Sequence, residues 1–289
     1  MAVPPVVVGV DGSESALDAV RWAADEARRR ETLLRIVHAY QIPTGYPQGF
    51  VDVKMLHDVL LAQGKEWLVR AQEVAEEAAP GLTVETVGVQ APTVPALERE
   101  ARDAAVLVLG SRGLGGFTGL LIGSTAVTLV TRAACPIVVV REPGRDGPVV
   151  VGVDGTPASE AAIAFAFAEA SARDAELVAV HVWSDLLLEV AFAGEPAMLD
   201  VTRLAEEAHG VLGERLAGWQ EQYPDVVVTR EVVRDRATRA LLRRAEGARL
   251  VVVGSRGRGG FRGLMLGSTS QHLLYHAACP VAVVPARPE

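Results

Sequence analysis

Short runs of valine, leucine and isoleucine alternate along this chain with longer stretches in which apolar residues return every three or four positions. The short runs at 6–10, 33–39, 82–87, 106–109 and 137–140 predict strands, and the longer patterns at 13–30, 52–79, 94–103 and 124–132 predict helices. Within 13–30, Ala16, Leu17, Val20, Ala23, Ala24 and Ala27 share one helical face. Strands that are apolar throughout, without alternation, are expected to be buried on both sides. A β-α-β order of this kind implies a parallel sheet with right-handed crossovers and helices on both faces.

The pattern then repeats. "VVVGVDGSESALDAV" returns as "VVVGVDGTPASEAAI", and "AACPIVVV" returns as "AACPVAVV". Asp11 and Asp154 are 143 positions apart, as are His38 and His181, whereas Gly110 and Gly254, or Cys135 and Cys279, are 144 apart. Two copies of one domain therefore fill the chain, residues 1–143 and 144–289, joined through the Pro- and Gly-rich "REPGRDGP". In the second copy Thr156 is expected as a helix N-cap with Pro157 at the first helical position. A long helix at 200–222, a strand at 226–231 and a short helix at 235–246 follow.

Ligands of such sheets lie beyond the carboxyl ends of the strands, at the point where the strand order reverses. Asp11 closes the first strand and Gly110 closes the fourth. From Gly110 the chain reads "GSRGLGGFTGLLIGST", and from Gly254 it reads "GSRGRGGFRGLMLGST". Six glycines stand within fourteen residues of each segment. Glycine is costly to order, and its clustering lets backbone N–H groups converge on an anion. The helix that opens at Gly123, Ser124 and Thr125 adds unpaired amides and the positive end of its dipole, so the segment suits a phosphate better than a plain capped turn. Neither segment is a G-x-x-x-x-G-K-[ST] or a G-x-G-x-x-G, because Thr118 and Arg262 stand where the latter needs its last glycine.

Composition narrows the function. With 289 residues, 49% of them hydrophobic, the chain is a folded globular protein, and its net charge of −8 argues against general nucleic-acid binding. No apolar run reaches the roughly 18 residues that span a bilayer. The start lacks a basic region ahead of its apolar run and reads as a strand, not a signal peptide. Two cysteines form neither a disulfide framework nor a four-ligand zinc site, so a cytoplasmic location is expected. Cys135 and Cys279 are expected as small buried residues, and His38 and His181 as hydrogen-bonded structural histidines. His272 and His276 have chelating spacing but no evident third ligand. Met55, Leu56, Val59, Leu60, Leu186, Leu187, Leu188 and Val190 are expected between the second strand and the long helix of each copy, where loop divergence or a partner surface would place them.

The spacing G-x2-G-x9-G-[ST], carried by Gly110, Gly113, Gly123 and Ser124 and again by Gly254, Gly257, Gly267 and Ser268, together with "VGVDGS" and "CPIVVV", resembles the ATP-binding branch of the universal stress protein family. The likeness spans both halves and is similar to a tandem, actinobacterial-type member. It implies an open twisted five-stranded parallel sheet of order 3-2-1-4-5 in each half. The halves would be related by a pseudo-two-fold and paired through their last strands as an intrachain pseudodimer, with a further homodimer left open. It implies that Gly9, Asp11, Gly152 and Asp154 hold the adenosine part, the aspartates through ribose or Mg²⁺, and that Ala39 and Val182 line the adenine pocket. The phosphates would meet Gly110, Ser111, Arg112, Gly113, Leu114, Gly115, Gly116, Gly123, Ser124 and Thr125. In the second half they would meet Gly254, Ser255, Arg256, Gly257, Arg258, Gly259, Gly260, Gly267, Ser268 and Thr269. ATP is the expected cofactor, with Mg²⁺ held mainly by the phosphates. A regulatory protein partner is implied, but no nucleic acid or membrane. The expected function is a nucleotide-dependent stress-response switch, with no catalytic residue. A slow ATPase is the alternative, weakened by the lack of a base or arginine finger; a nucleotide-free assembly module is another.

Overall fold

Val6, Val7 and Val8 are all fully buried. Successive strand residues point to opposite faces, so both faces of this strand are covered. The computed structural model of the chain describes residues 3–42, 52–113, 122–132, 134–142, 145–156, 159–183, 201–257 and 266–286. Two units, Met1–Arg141 and Glu142–Glu289, divide the chain.

In the first unit the elements run β1 (Val6–Gly9), α1 (Glu14–Arg29), β2 (Leu34–Tyr40), α2 (Val53–Ala78), β3 (Val84–Gln90), α3 (Thr93–Ala101), β4 (Val106–Gly110), α4 (Ser124–Arg132) and β5 (Ile137–Val140). The strands lie in the order β3-β2-β1-β4-β5, with every pair parallel. The second unit runs β6 (Val149–Val153), α5 (Glu160–Ala172), β7 (Leu177–Val182), α6 (Val201–Gln222), β8 (Val228–Val233), α7 (Ala237–Ala245), β9 (Leu250–Gly254), α8 (Ser268–His276) and β10 (Val281–Val284). Its strands lie in the order β8-β7-β6-β9-β10, again parallel. Each unit is therefore the 3-2-1-4-5 α/β sheet, and the order reverses beside β1 and beside β6.

Local chemistry sets the helix ends. Ser13 caps α1 by accepting from the Ala16 amide. At the other end Thr32 N–H donates to Ala27 O and Glu31 N–H to Arg28 O, the pair of bonds that closes a helix on a left-handed residue. Glu31 takes that conformation at φ 51°, and Asp174 does the same after α5 at φ 47°, although glycine is the usual occupant. Inside both helices an ion pair repeats: Glu26 with Arg30, and Glu169 with Arg173, the latter at 2.9 Å and buried.

Two expectations are corrected here. Helix α5 begins at Glu160 with Ser159 as its N-cap, not at Thr156. The Thr156 amide and hydroxyl both turn back to Asp154, and its carbonyl accepts from the Ser159 hydroxyl. Pro157 lies outside the described residues. Met55, Leu56, Val59 and Leu60 belong to the first turns of α2 and not to the connection before it. Met55 and Val59 are exposed there, and Leu186, Leu187, Leu188 and Val190 lie outside the described residues. Strands β3 and β8 also start two residues later than their apolar runs suggest. Each pairs on one side only and alternates between half-buried and exposed positions, so its hydrophobic signal is weak.

Candidate functional site

The site grows from the carboxyl end of β1. After Gly9 and Val10 the chain turns through Asp11, Gly12 and Ser13 into α1. Asp11 Oδ1 accepts both the amide and the hydroxyl of Ser13, at 3.1 and 2.7 Å. Its Oδ2 lies beside Gly113 of the glycine segment: a Cβ added to Gly113 would stand 2.2 Å from it. A larger residue there would have to displace the carboxylate.

Further bonds tie the segment to α1. The Ser13 hydroxyl donates to Arg112 O at 3.2 Å, and the Arg112 amide donates to Ser15 Oγ at 3.3 Å. The hydroxyls of Ser15 and Ser111 lie 3.5 Å apart. Gly110 lies against the backbone of Ser15, where a Cβ would meet the Ser15 carbonyl oxygen at 2.6 Å. Ser111 N–H continues the sheet to Val140 O, and Ser111 O accepts the Gly123 amide at 2.7 Å. This last bond brings the two ends of the glycine segment together, so that α4 opens beside the turn that carries Asp11.

The second unit builds the same junction. Asp154 Oδ1 accepts from the Thr156 amide and hydroxyl at 2.9 and 2.7 Å, and a Cβ on Gly257 would stand 2.9 Å from Asp154 Oδ2. Ser255 N–H reaches Val284 O, and Gly267 N–H reaches Ser255 O, both at 2.8 Å. Ser270 Oγ donates to Gly254 O at 2.7 Å. Ala126 stands at that position in the first unit, while the first unit's Ser15 corresponds to Ala158. Each unit thus steadies its loop with one extra hydroxyl, supplied by a different helix.

The structure thus joins Gly9, Asp11, Gly110, Ser111, Arg112, Gly113, Gly123, Ser124 and Thr125 at one sheet edge, and their counterparts Gly152, Asp154, Gly254, Ser255, Arg256, Gly257, Gly267, Ser268 and Thr269 at another. Ala39 and Val182 stand half-buried near the carboxyl ends of β2 and β7, one strand across from the aspartates. Leu114, Gly115, Gly116, Arg258, Gly259 and Gly260 lie outside the described residues. One expectation is refined. The amides of Gly123 and Gly267 are already donated within the protein, which leaves the expected anion-binding role at this end to the next amides of the helix and to the exposed Ser124 and Ser268. Ser13 was not singled out from the sequence and Thr156 only as a helix cap; Ser15 and Ser270 were not singled out either. The recurring Asp-Gly-[Ser/Thr] was a legible signal for the first two.

His38 Nδ1 bonds to Val10 O at 2.9 Å and His181 Nδ1 to Val153 O at 2.7 Å, both as buried structural histidines. Burial pushes the thiols of Cys135 and Cys279 up, to about 11 and about 12, as expected of inert packed cysteines. Among the described residues no cluster of three or more His, Cys, Asp or Glu side chains is placed to hold a metal, and no helix is long and apolar enough to cross a membrane.

Comparison with known proteins agrees with this architecture. The model of the universal stress protein family matches residues 3–141 and again 147–285. A universal stress protein of Mycobacterium tuberculosis is 41% identical over 290 residues, covering 96% of this chain and 95% of its own length. One of Mycobacterium bovis is 41% identical over 289 residues, covering 96% of each. The crystal structure of a universal stress protein from Archaeoglobus fulgidus shares the fold at a TM-score of 0.70 and 19% identity, covering 97% of this chain and 98% of that one.

Proposed function

We propose, from the premise that this chain belongs to the universal stress protein family, that it is an ATP-binding stress regulator with one nucleotide site in each half. The observation that carries this reading is the junction of Asp11 with Gly113, repeated as Asp154 with Gly257, where a strand-end carboxylate and the glycine segment meet to form the proposed cradle. On this reading the adenosine lies against Gly9, Asp11 and Ala39, and against Gly152, Asp154 and Val182. The phosphates run along the glycine segment to the first turn of α4 or α8, where free helix amides and the hydroxyls of Ser124, Thr125, Ser268 and Thr269 favour an anion.

Mg²⁺ would enter mainly as the companion of the phosphates and would offset their charge beside the carboxylate. Asp11 and Asp154 follow the carboxyl ends of β1 and β6 and lie beside Gly113 and Gly257, a place that suits a ribose hydroxyl or the cation. The sequence offers no evident catalytic base or arginine finger for the phosphates, which favours binding without turnover. Ligand occupancy alters a partner's view of the protein only if it favours one conformation of the glycine segment over another.

Denaturing the freshly purified protein and counting the released nucleotide tests this. ATP that is present, or is taken up when supplied, and remains unchanged during incubation with Mg²⁺ supports the switch. ADP accumulating in step with the protein, and abolished by a loop variant, supports the slow ATPase instead. No nucleotide retained and none taken up removes the reading.

A further inference from the structure

The two sites rest on different supports, and the difference sits on α2. The indole of Trp67 lies directly against Gly12, the middle residue of the Asp11 turn, so closely that a Cβ there would meet three indole atoms at 2.3–2.6 Å. Gly12 is also left-handed, at φ +86°. Trp67 meets His38 edge-on, with ring centroids 5.1 Å apart, and His38 is bonded to Val10 O just before the turn. One helical turn before Trp67, Gly64 leaves room for the His38 ring: a Cβ there would be 2.6 Å from its Cδ2. Gly64 and Trp67 therefore form a socket that grips the turn through both Gly12 and His38.

In the second half the long helix α6 carries no such socket. With the buried Leu68 and Leu212 in register, and Pro80 with Pro224, Gly64 corresponds to Ala208 and Trp67 to Val211. Gly155 keeps the left-handed turn at φ 78°, and His181 keeps its bond to Val153 O. The turn is thus retained, while Val211 stands where the first half has its indole.

We infer that Trp67 is a positioning residue for the first nucleotide site: it holds the Asp11 turn in its binding geometry, and the second site lacks this hold. The inference rests on the nucleotide reading. A turn that must be ordered on binding shows an affinity lowered by the fraction of time it is correctly formed. The first site is preorganised by Trp67, and its affinity depends on that residue. The second site's does not.

The test uses the full chain with one site disabled at a time. Gly267→Val is expected to silence the second site and Gly123→Val the first; among the described residues a Cβ at either position meets ordinary contacts at 3.6 Å or beyond, and an unchanged urea midpoint checks that the fold is kept. By calorimetric titration with Mg-ATP, Trp67→Val in the Gly267→Val background is expected to weaken the first site about tenfold. Trp67→Phe restores most of the loss. In the Gly123→Val background Trp67→Val leaves the second site unchanged, a separation that a general loss of stability would not produce. Transplanting the socket with Ala208→Gly and Val211→Trp is expected to tighten the second site. Unchanged or tighter first-site affinity in Trp67→Val overturns the positioning role while leaving the nucleotide reading intact, and tightening would mean that the indole obstructs the pocket. Failure of both halves of the unaltered chain to take up ATP removes the nucleotide reading and this role with it.

Discussion

The helix pair α1–α2 and its counterpart α5–α6 solve one packing problem with opposite residues. In the first unit Ala24, Ala75 and Ala79 are all fully buried. Their counterparts by position in the repeat are Phe167, Trp219 and Tyr223, whose rings stack with centroids 5.8–6.5 Å apart. Leu17, buried in α1, corresponds to Glu160, which accepts the Trp219 indole N–H at 2.8 Å. Alanine against alanine lets helices approach closely, while rings against rings hold them apart and fill the gap. Both keep the interior dense, which is what stability requires. The strand-end turns contrast with this, since Asp-Gly-[Ser/Thr] and the Gly-x2-Gly opening return almost unaltered. A packed face has many solutions. A left-handed turn that must also present a carboxylate to a glycine segment has few.

The largest effect should come from breaking the part that repeats. Gly113→Ala drives a methyl into Asp11 Oδ2, and calorimetry should find ATP uptake lost from the first half while the second continues to bind. Gly257→Ala has more room before Asp154 Oδ2 and should weaken its site less. Equal losses would mean that the two cradles are alike in tolerance.

Next comes the part that diverges. Phe167→Ala removes a fully buried ring that has no counterpart in the first unit and should cost about 3–5 kcal/mol in urea unfolding. The mirror change, Ala24→Phe, overpacks the first unit and should cost about 1–3 kcal/mol, recovered in part when the chain makes room for the ring. If Ala24→Phe proves harmless, the two interfaces are looser than their buried residues imply.

The smallest effect is a pH dependence shared by both halves. The folded state holds the neutral thiols, with Cys135 at about 11 and Cys279 at about 12 against an ordinary 9.0. The unfolded chain therefore loses these protons first. The contribution is fully present below pH 9 and falls as pH rises through the folded values. Urea unfolding at pH 8 and pH 10 should show the decline, and Cys→Ser variants should flatten it. Cys279, the less exposed of the two, should also be alkylated more slowly than Cys135 in the native protein. Equal alkylation rates would indicate that the two strand starts open alike.

The extents of α4 and β5 were legible in the sequence because a strong local signal marks each end: Gly123 and Ser124 before α4, and Pro136 before β5. The starts of β3 and β8 were not, since an edge strand is only half covered and its apolar residues do not mark its limits. Thr156 was misread as the cap because local propensity favours a threonine before proline, whereas the α-helix opens three residues later, at Glu160 after Ser159.

By itself the sequence determined the duplicated α/β architecture, the buried strands and the two chemical ends, an aspartate after one strand and a glycine segment after another. These follow from periodicity, turn chemistry and repetition, all of which act over a few residues. Only the tertiary structure decided that Asp11 faces Gly113 across more than a hundred residues, that Ser13 and Ser15 bind the loop while Ser270 does so in the second half, and that Trp67 rests on Gly12. Those contacts depend on which strands become neighbours and how closely a helix settles onto a turn. No local pattern encodes such distances, because they are fixed by the joint packing of elements far apart in the chain.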